Sequence, residues 1–174
     1  HSSLGSDQYM NFWTTAAVGT TLPDYWGLNE PTSSVFGIGT WGGNNTNGNN
    51  YIAYCFSEVA GFSKFGSYTG NGSASGPTVT LGFRPAFVMV KRTDSADEWA
   101  MHDNTRDPDN KVNLRLRANS DGAELTTQNI DFNDNGFQVT STSSSHNASG
   151  GTYIYMAFAD TRDAQFNFDA PVDH

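Results

Sequence analysis

Glu58, Glu98, Asp103 and Glu124 are side chains of the type that breaks glycosidic bonds. That chemistry sets two carboxyl groups on either side of the scissile bond, at a fixed separation in a cleft. No motif in the chain selects such a pair. Glu58 and Asp160 occupy matching positions in an internal repeat, which fits a structural role at a strand end. A Gly-x-Ser-x-Gly elbow, zinc-ligand spacing and a phosphate-binding loop are missing from the sequence. The residues therefore describe a non-enzymatic chain with no catalytic set.

Two acidic clusters have the ligand type that Ca²⁺ takes, about six to eight oxygens from carboxylates and carbonyls. Asp103, Asp107 and Asp109, with His102 and Asn110, form the first; Asp131 and Asp134, with Asn133, form the second. Neither follows the EF-hand loop spacing. Asx-rich turns also arise from local hydrogen bonding alone. The expectation is no cofactor, with calcium as the alternative.

Aromatic side chains offer a third chemistry. Trp13, Trp26, Trp41 and Trp99 accompany Tyr25 and Tyr68 in an acidic chain. Aromatic faces stack on sugar rings, and Asn-rich loops bind hydroxyls. Trp99 reads as core, whereas Trp26 and Trp41 flank loops and are expected to be exposed. The candidate glycan-binding set is Trp26, Trp41, Tyr25, Asn45 and Asn47.

Net charge is −9 over 174 residues. That argues against nucleic acid or an anionic membrane as partner, since both demand a basic face. No apolar run reaches the length of about 18 residues that a membrane-spanning helix needs. Cys55 is the only cysteine, so no intrachain disulfide can form. It lies in an apolar strand pattern and reads as a small buried hydrophobe.

The elements that must hold these residues follow a repeat. Tyr51-Ile-Ala-Tyr-Cys-Phe-Ser-Glu58 returns as Tyr153-Ile-Tyr-Met-Ala-Phe-Ala-Asp160, at an offset of 153 − 51 = 102. Phe36-Gly-Ile38 returns as Phe137-Gln-Val139, at an offset of 137 − 36 = 101. Asp7 to Phe12 aligns with Asp109 to Leu114. Aromatic and β-branched residues alternate in short runs between Gly, Asn and Pro turns, as in an antiparallel sandwich or barrel. Strands are expected at 8–18, 35–41, 51–56, 62–68, 78–81, 86–91, 99–102, 111–118, 137–141 and 153–158. A turn is expected at 128–136, and an edge strand around Phe166 and Phe168. In 111–118, Val112, Leu114 and Leu116 should face the core, with Arg115 and Arg117 outward. The fold class is all-β, an antiparallel, jelly-roll-like β-sandwich with a pseudo-repeat of about one hundred residues. Residues 1–60 read as the C-terminal half of a preceding unit that packs on the next, 61–160 as a complete unit and 161–174 as a tail. The half-copy leads us to expect a fragment of a longer protein.

Several blocks resemble a domain that recurs in tail-fibre and other virion-surface proteins of marine bacteriophages. They are Tyr51 to Glu58, Gly61-Phe-Ser-Lys-Phe-Gly-Ser-Tyr-Thr-Gly-Asn-Gly72, Gly82-Phe-Arg-Pro-Ala-Phe-Val-Met-Val-Lys-Arg-Thr93, Asp131 to Phe137 and Ser149 to Phe158. The resemblance implies a module at the virion surface, extracellular to the host. It would belong to a receptor-binding fibre that recognises a bacterial surface glycan. A purely structural role, as capsid decoration or fibre spacer, is the alternative, and a glycan depolymerase is the third reading. By the same analogy the partners are further virion proteins and other copies of the chain in a homo-oligomer, a trimer being favoured. Residues 162–169 would lie near the interface. Thr161 to His174 departs from the family pattern.

Overall fold

The structure is a computed structural model that describes residues 1–20, 25–27, 31–108, 111–126 and 130–162. Its elements are, in order, β1 (Gln8–Tyr9), β2 (Gly19–Thr20), α1 (Gly42–Asn45), β3 (Ser63–Thr69), β4 (Thr78–Thr80), β5 (Pro85–Arg92), β6 (Trp99–Asp103), β7 (Lys111–Val112), β8 (Leu116–Arg117), β9 (Ile130–Asn133), β10 (Gly136–Val139), α2 (Ser144–Asn147) and β11 (Thr152–Ala159). Every strand pairing is antiparallel, and both helices are single turns, so the chain is all-β as expected. No helix among the described residues is long and apolar enough to cross a membrane.

Among the described residues three sheets form: β1-β2, β4-β10-β9-β7 and β3-β11-β5-β6-β8. The nearly continuous apolar run of β11 is inner in its sheet, pairing with β3 on one side and β5 on the other. A strand covered on both faces and both edges needs such a run. Pro85 opens β5, a position where the missing N–H is tolerated. The main core joins the two large sheets: Val79, Val112, Ile130, Phe132, Phe137 and Val139 pack with Val88, Val90, Tyr153, Tyr155 and Ala157.

Residues 1–20 lie against the five-stranded sheet. Trp99 is buried, as expected, under a stacked Phe12 (ring centroids 4.4 Å apart), and its Nε1 donates to Asn11 O (3.0 Å). Lys91 is buried too; its Nζ donates to Thr15 O (3.2 Å) and Arg92 O (2.8 Å). Burial lowers the Lys91 pKa to about 8.

Several strand expectations fail for identifiable reasons. The alternating run 111–118 is not one strand: β7 joins the four-stranded sheet and β8 the five-stranded one. Asp107 Oδ2 accepts from the N–H groups of Asn113 (2.6 Å) and Leu114 (3.1 Å) and fixes the crossing. Val112 is buried as expected, but beyond the crossing the faces are exchanged, with Arg115 buried and Leu116 exposed. Within the expected turn 128–136, Ile130–Asn133 is strand β9, hairpinned to β10 through a short turn before Gly136, whose φ of 153° favours glycine. Residues 8–18 contain only the two-residue β1, and 35–41 contain no strand. The largest departure is 51–56, which forms no strand and is exposed throughout. Its counterpart β11 draws order from β3 and β5, and those strands are already occupied. Cys55 is consequently exposed, not buried. Asp109, Phe166 and Phe168 lie outside the described residues.

Candidate functional site

The candidate glycan set gathers around α1. Tyr25 stacks on Tyr9 on one side (4.8 Å, 19°) and on Trp41 on the other (4.2 Å, 16°). Both faces of Tyr25 are therefore covered, and it cannot itself stack on a sugar. Trp41 ends the stack and is 37% exposed, as is Trp26, which matches the exposure expected of these two. Asn44 Nδ2 donates to Tyr25 O (2.7 Å), and Gly39 N donates to the same carbonyl (2.9 Å), locking the stack to the loop. Asn47 is exposed. Asn45 serves the backbone instead: its Nδ2 donates to Gly39 O at 2.6 Å.

Several hydrogen bonds of the α2 loop match bonds of this loop at an offset of 102 residues. Tyr51 Oη donates to Gly42 O (3.0 Å) and accepts from Thr46 N (2.9 Å). Tyr153 Oη donates to Ser144 O (2.5 Å) and accepts from Ala148 N (2.7 Å). Asn45 N reaches Trp41 O (2.9 Å) as Asn147 N reaches Ser143 O (2.7 Å). Asn49 N reaches Thr46 O (3.2 Å) as Gly151 N reaches Ala148 O (2.9 Å). Asn147 Nδ2 donates to Ser141 O (2.9 Å), the counterpart of the Asn45 bond to Gly39. Gly48 and Gly150 both take positive φ, 83° and 74°. The Asn147 side chain does more than that of Asn45. Its Oδ1 accepts from the N–H groups of Asn71 (2.7 Å) and Gly72 (3.4 Å), and its Nδ2 also reaches Ser73 O (2.7 Å). Asn147 is buried and Asn45 exposed.

A buried polar network, which the sequence analysis missed, ties α2 to the sheets. His102 Nδ1 lies 3.2 Å from Leu114 O, an acceptor only, so Nδ1 carries the proton. His102 Nε2 then accepts from His146 Nε2 at 2.8 Å. His146 Nδ1 accepts from Ser145 Oγ (3.0 Å), which in turn accepts from Arg115 Nη1 (2.7 Å). Burial above all, then the Arg115 charge, lowers the His102 pKa to about 3. Burial, then His102 and Arg115, lowers that of His146 too. Both rings are neutral and sealed from solvent. The pair lies 44 residues apart in sequence, with no motif spacing to signal it.

The candidate carboxylates are engaged by the protein itself. Asp103 Oδ2 accepts from Arg106 Nε (2.6 Å), and Glu124 pairs with Arg106. Glu98 binds Asn119. Glu58 Oε1 accepts from Phe65 N (3.1 Å), and Asp160 holds Asn104 and Arg162. Arg106 thus holds two of these carboxylates, Asp103 and Glu124, on one guanidinium. Of the calcium candidates, Asp107 caps the crossing and exposed Asp134 faces Arg84 (3.5 Å). Asp131 Oδ1 is buried without a partner. Among the described residues no three His, Cys, Asp or Glu side chains converge as a metal site.

The chain belongs to the family described as a domain of unknown function, DUF7483, whose model matches residues 1–162. No curated protein and no solved structure matches it.

Proposed function

We propose that this chain is a non-enzymatic module of a virion surface, part of a tail fibre or receptor-binding protein, that recognises a bacterial surface glycan. The observation that carries the recognition is the Tyr9–Tyr25–Trp41 stack. It fixes Trp41, 37% exposed, at the end of the stack, with its six-membered ring against Gly43. A pre-ordered aromatic loses little freedom on binding. Trp26 and Trp41 are the stacking residues in this reading, Asn47 supplies a polar contact, and Tyr25 and Asn45 support the loop. The virion setting rests on the sequence resemblance. Engagement of the acidic side chains by the protein's own donors supports a binding role over hydrolysis.

The same proposal includes two architectural readings. The two large sheets face each other as a β-sandwich, supported by the core they share. Residues 39–58 are a second copy of 141–160, supported by the matched hydrogen bonds and glycine φ values. Self-association into a homo-oligomer also belongs to the proposal, on the same sequence resemblance.

Purified host polysaccharides on an array test recognition. Binding that is lost in Trp26→Ala or Trp41→Ala supports it. Failure to bind any host glycan favours the structural role of fibre spacer or capsid decoration. Release of reducing ends from host polysaccharide would establish a depolymerase and overturn the proposal.

A further inference from the structure

We infer that residues 45–58 are a docking surface for a strand pair of the β3 and β5 kind, contributed by another unit of this fold placed ahead of the segment. The inference rests on the repeat reading above. Segment 141–160 is the template for what covers 39–58. There, β11 pairs from Thr152 to Phe158 with β3 and from Tyr153 to Ala159 with β5. Asn147 Oδ1 accepts from the Asn71-Gly72 turn that follows β3.

Every residue needed to receive such a pair is present in 45–58. Asn45 stands where Asn147 stands, with its Gly39 bond already made and its side chain exposed. Tyr51, Ile52, Tyr54 and Phe56 take the places of Tyr153, Ile154, Met156 and Phe158. The first pair of these are 47% and 81% exposed, whereas Tyr153 and Ile154 are 0% and 5% exposed. Backbone groups of 51–56 make no strand pairing, which leaves two edges open for augmentation; Ser57 O already accepts from Ser63 Oγ (2.9 Å). The required partner follows from chemistry. It is an apolar strand alternating like Phe65-Gly66-Ser67-Tyr68, ending in an Asn-Gly turn whose N–H groups reach Asn45, and a second strand like Phe87 to Lys91. Trp41 corresponds to Ser143, which stays partly exposed in the complete unit, so docking leaves the aromatic stack open.

The probe is the chain's own sequence. Residues 61–108 replace His1 to Ser6 ahead of Asp7, so that the junction reproduces 108–109. Amide hydrogen exchange at 51–58 is compared with and without the added segment. Docking predicts exchange slowed by about a hundredfold or more, with Asn45→Ala reversing it in the extended chain only. Unchanged exchange at 51–58 in an extended chain that keeps native exchange at 152–159 overturns the inference. An extended chain that loses protection at 152–159 also overturns it, because the added strands have then competed for β11 instead of docking on 51–58. Tyr51→Phe in the unextended chain checks the repeat reading separately. Loss of protection at the Thr46 amide upholds that reading, and an unchanged Thr46 amide refutes it whatever the extension does.

Discussion

Segments 39–58 and 141–160 share a local hydrogen-bond pattern yet end in opposite states. In the second, β11 is an inner strand and Tyr153 is fully buried. In the first, the same sequence pattern runs exposed and unpaired. The loop survives because its bonds are local, closing over a few residues. The strand does not, because each of its backbone bonds must come from a neighbour distant in sequence. Local chemistry suffices for a turn; a central strand is a property of the sheet.

The largest contrast should appear with pH. Position 146 is His in one segment, and the matching position 44 is Asn. Both buried rings, His102 and His146, are neutral, with pKa values below the ordinary histidine value. Their contribution is complete above the unfolded value of about 6.5. As pH falls from there towards about 3, the unfolded chain takes up protons that the fold excludes, and stability is lost. The expected slope is about 1.4 kcal/mol per pH unit for each histidine. Chemical denaturation across this range should give that steep fall, and His146→Asn should roughly halve its slope.

Truncation of the paired aromatics should differ next most. Phe137→Ala empties a fully buried site and should cost about 3–5 kcal/mol. Phe36→Ala, at an exposed counterpart, should cost less than about 1 kcal/mol. Equal losses in urea melts would break the comparison.

The asparagines follow. Asn147→Ala removes a buried side chain that bonds the Asn71 and Gly72 amides and the Ser73 and Ser141 carbonyls, and should cost about 3 kcal/mol, whereas Asn45→Ala should cost about 1 kcal/mol or less. Smallest of all is the tyrosine pair. Tyr153→Phe removes a buried hydroxyl with two partners, worth about 1–2 kcal/mol, against a few tenths, roughly, for Tyr51→Phe.

Much of the complete unit was legible in the sequence. The apolar runs of β5 and β11, strand β6 and buried Trp99 each carry a strong local signal. The crossing at Asn113 was not legible. A period-two pattern cannot register that Asp107 captures two backbone amides and sends β8 to the other sheet. Neither was the His102–His146 pair, which only the folded topology brings together. At the candidate site, the exposure of Trp26 and Trp41 followed from their flanking loops. The burial of Tyr25 between two rings did not, since Tyr9 comes from a different segment. Strand 51–56 was misjudged for the reason its pattern is clear: it encodes an inner strand whose neighbours this fold assigns to β11.

Cys55 tests the central claim most directly, because it is the chain's only thiol and its counterpart Ala157 is fully buried. The native, unmodified chain is mixed with a neutral thiol reagent, and the labelling rate is compared with that in denaturant. An uncovered 51–58 segment predicts native labelling within about tenfold of the unfolded rate. Labelling that proceeds only as fast as the whole fold opens would contradict the account.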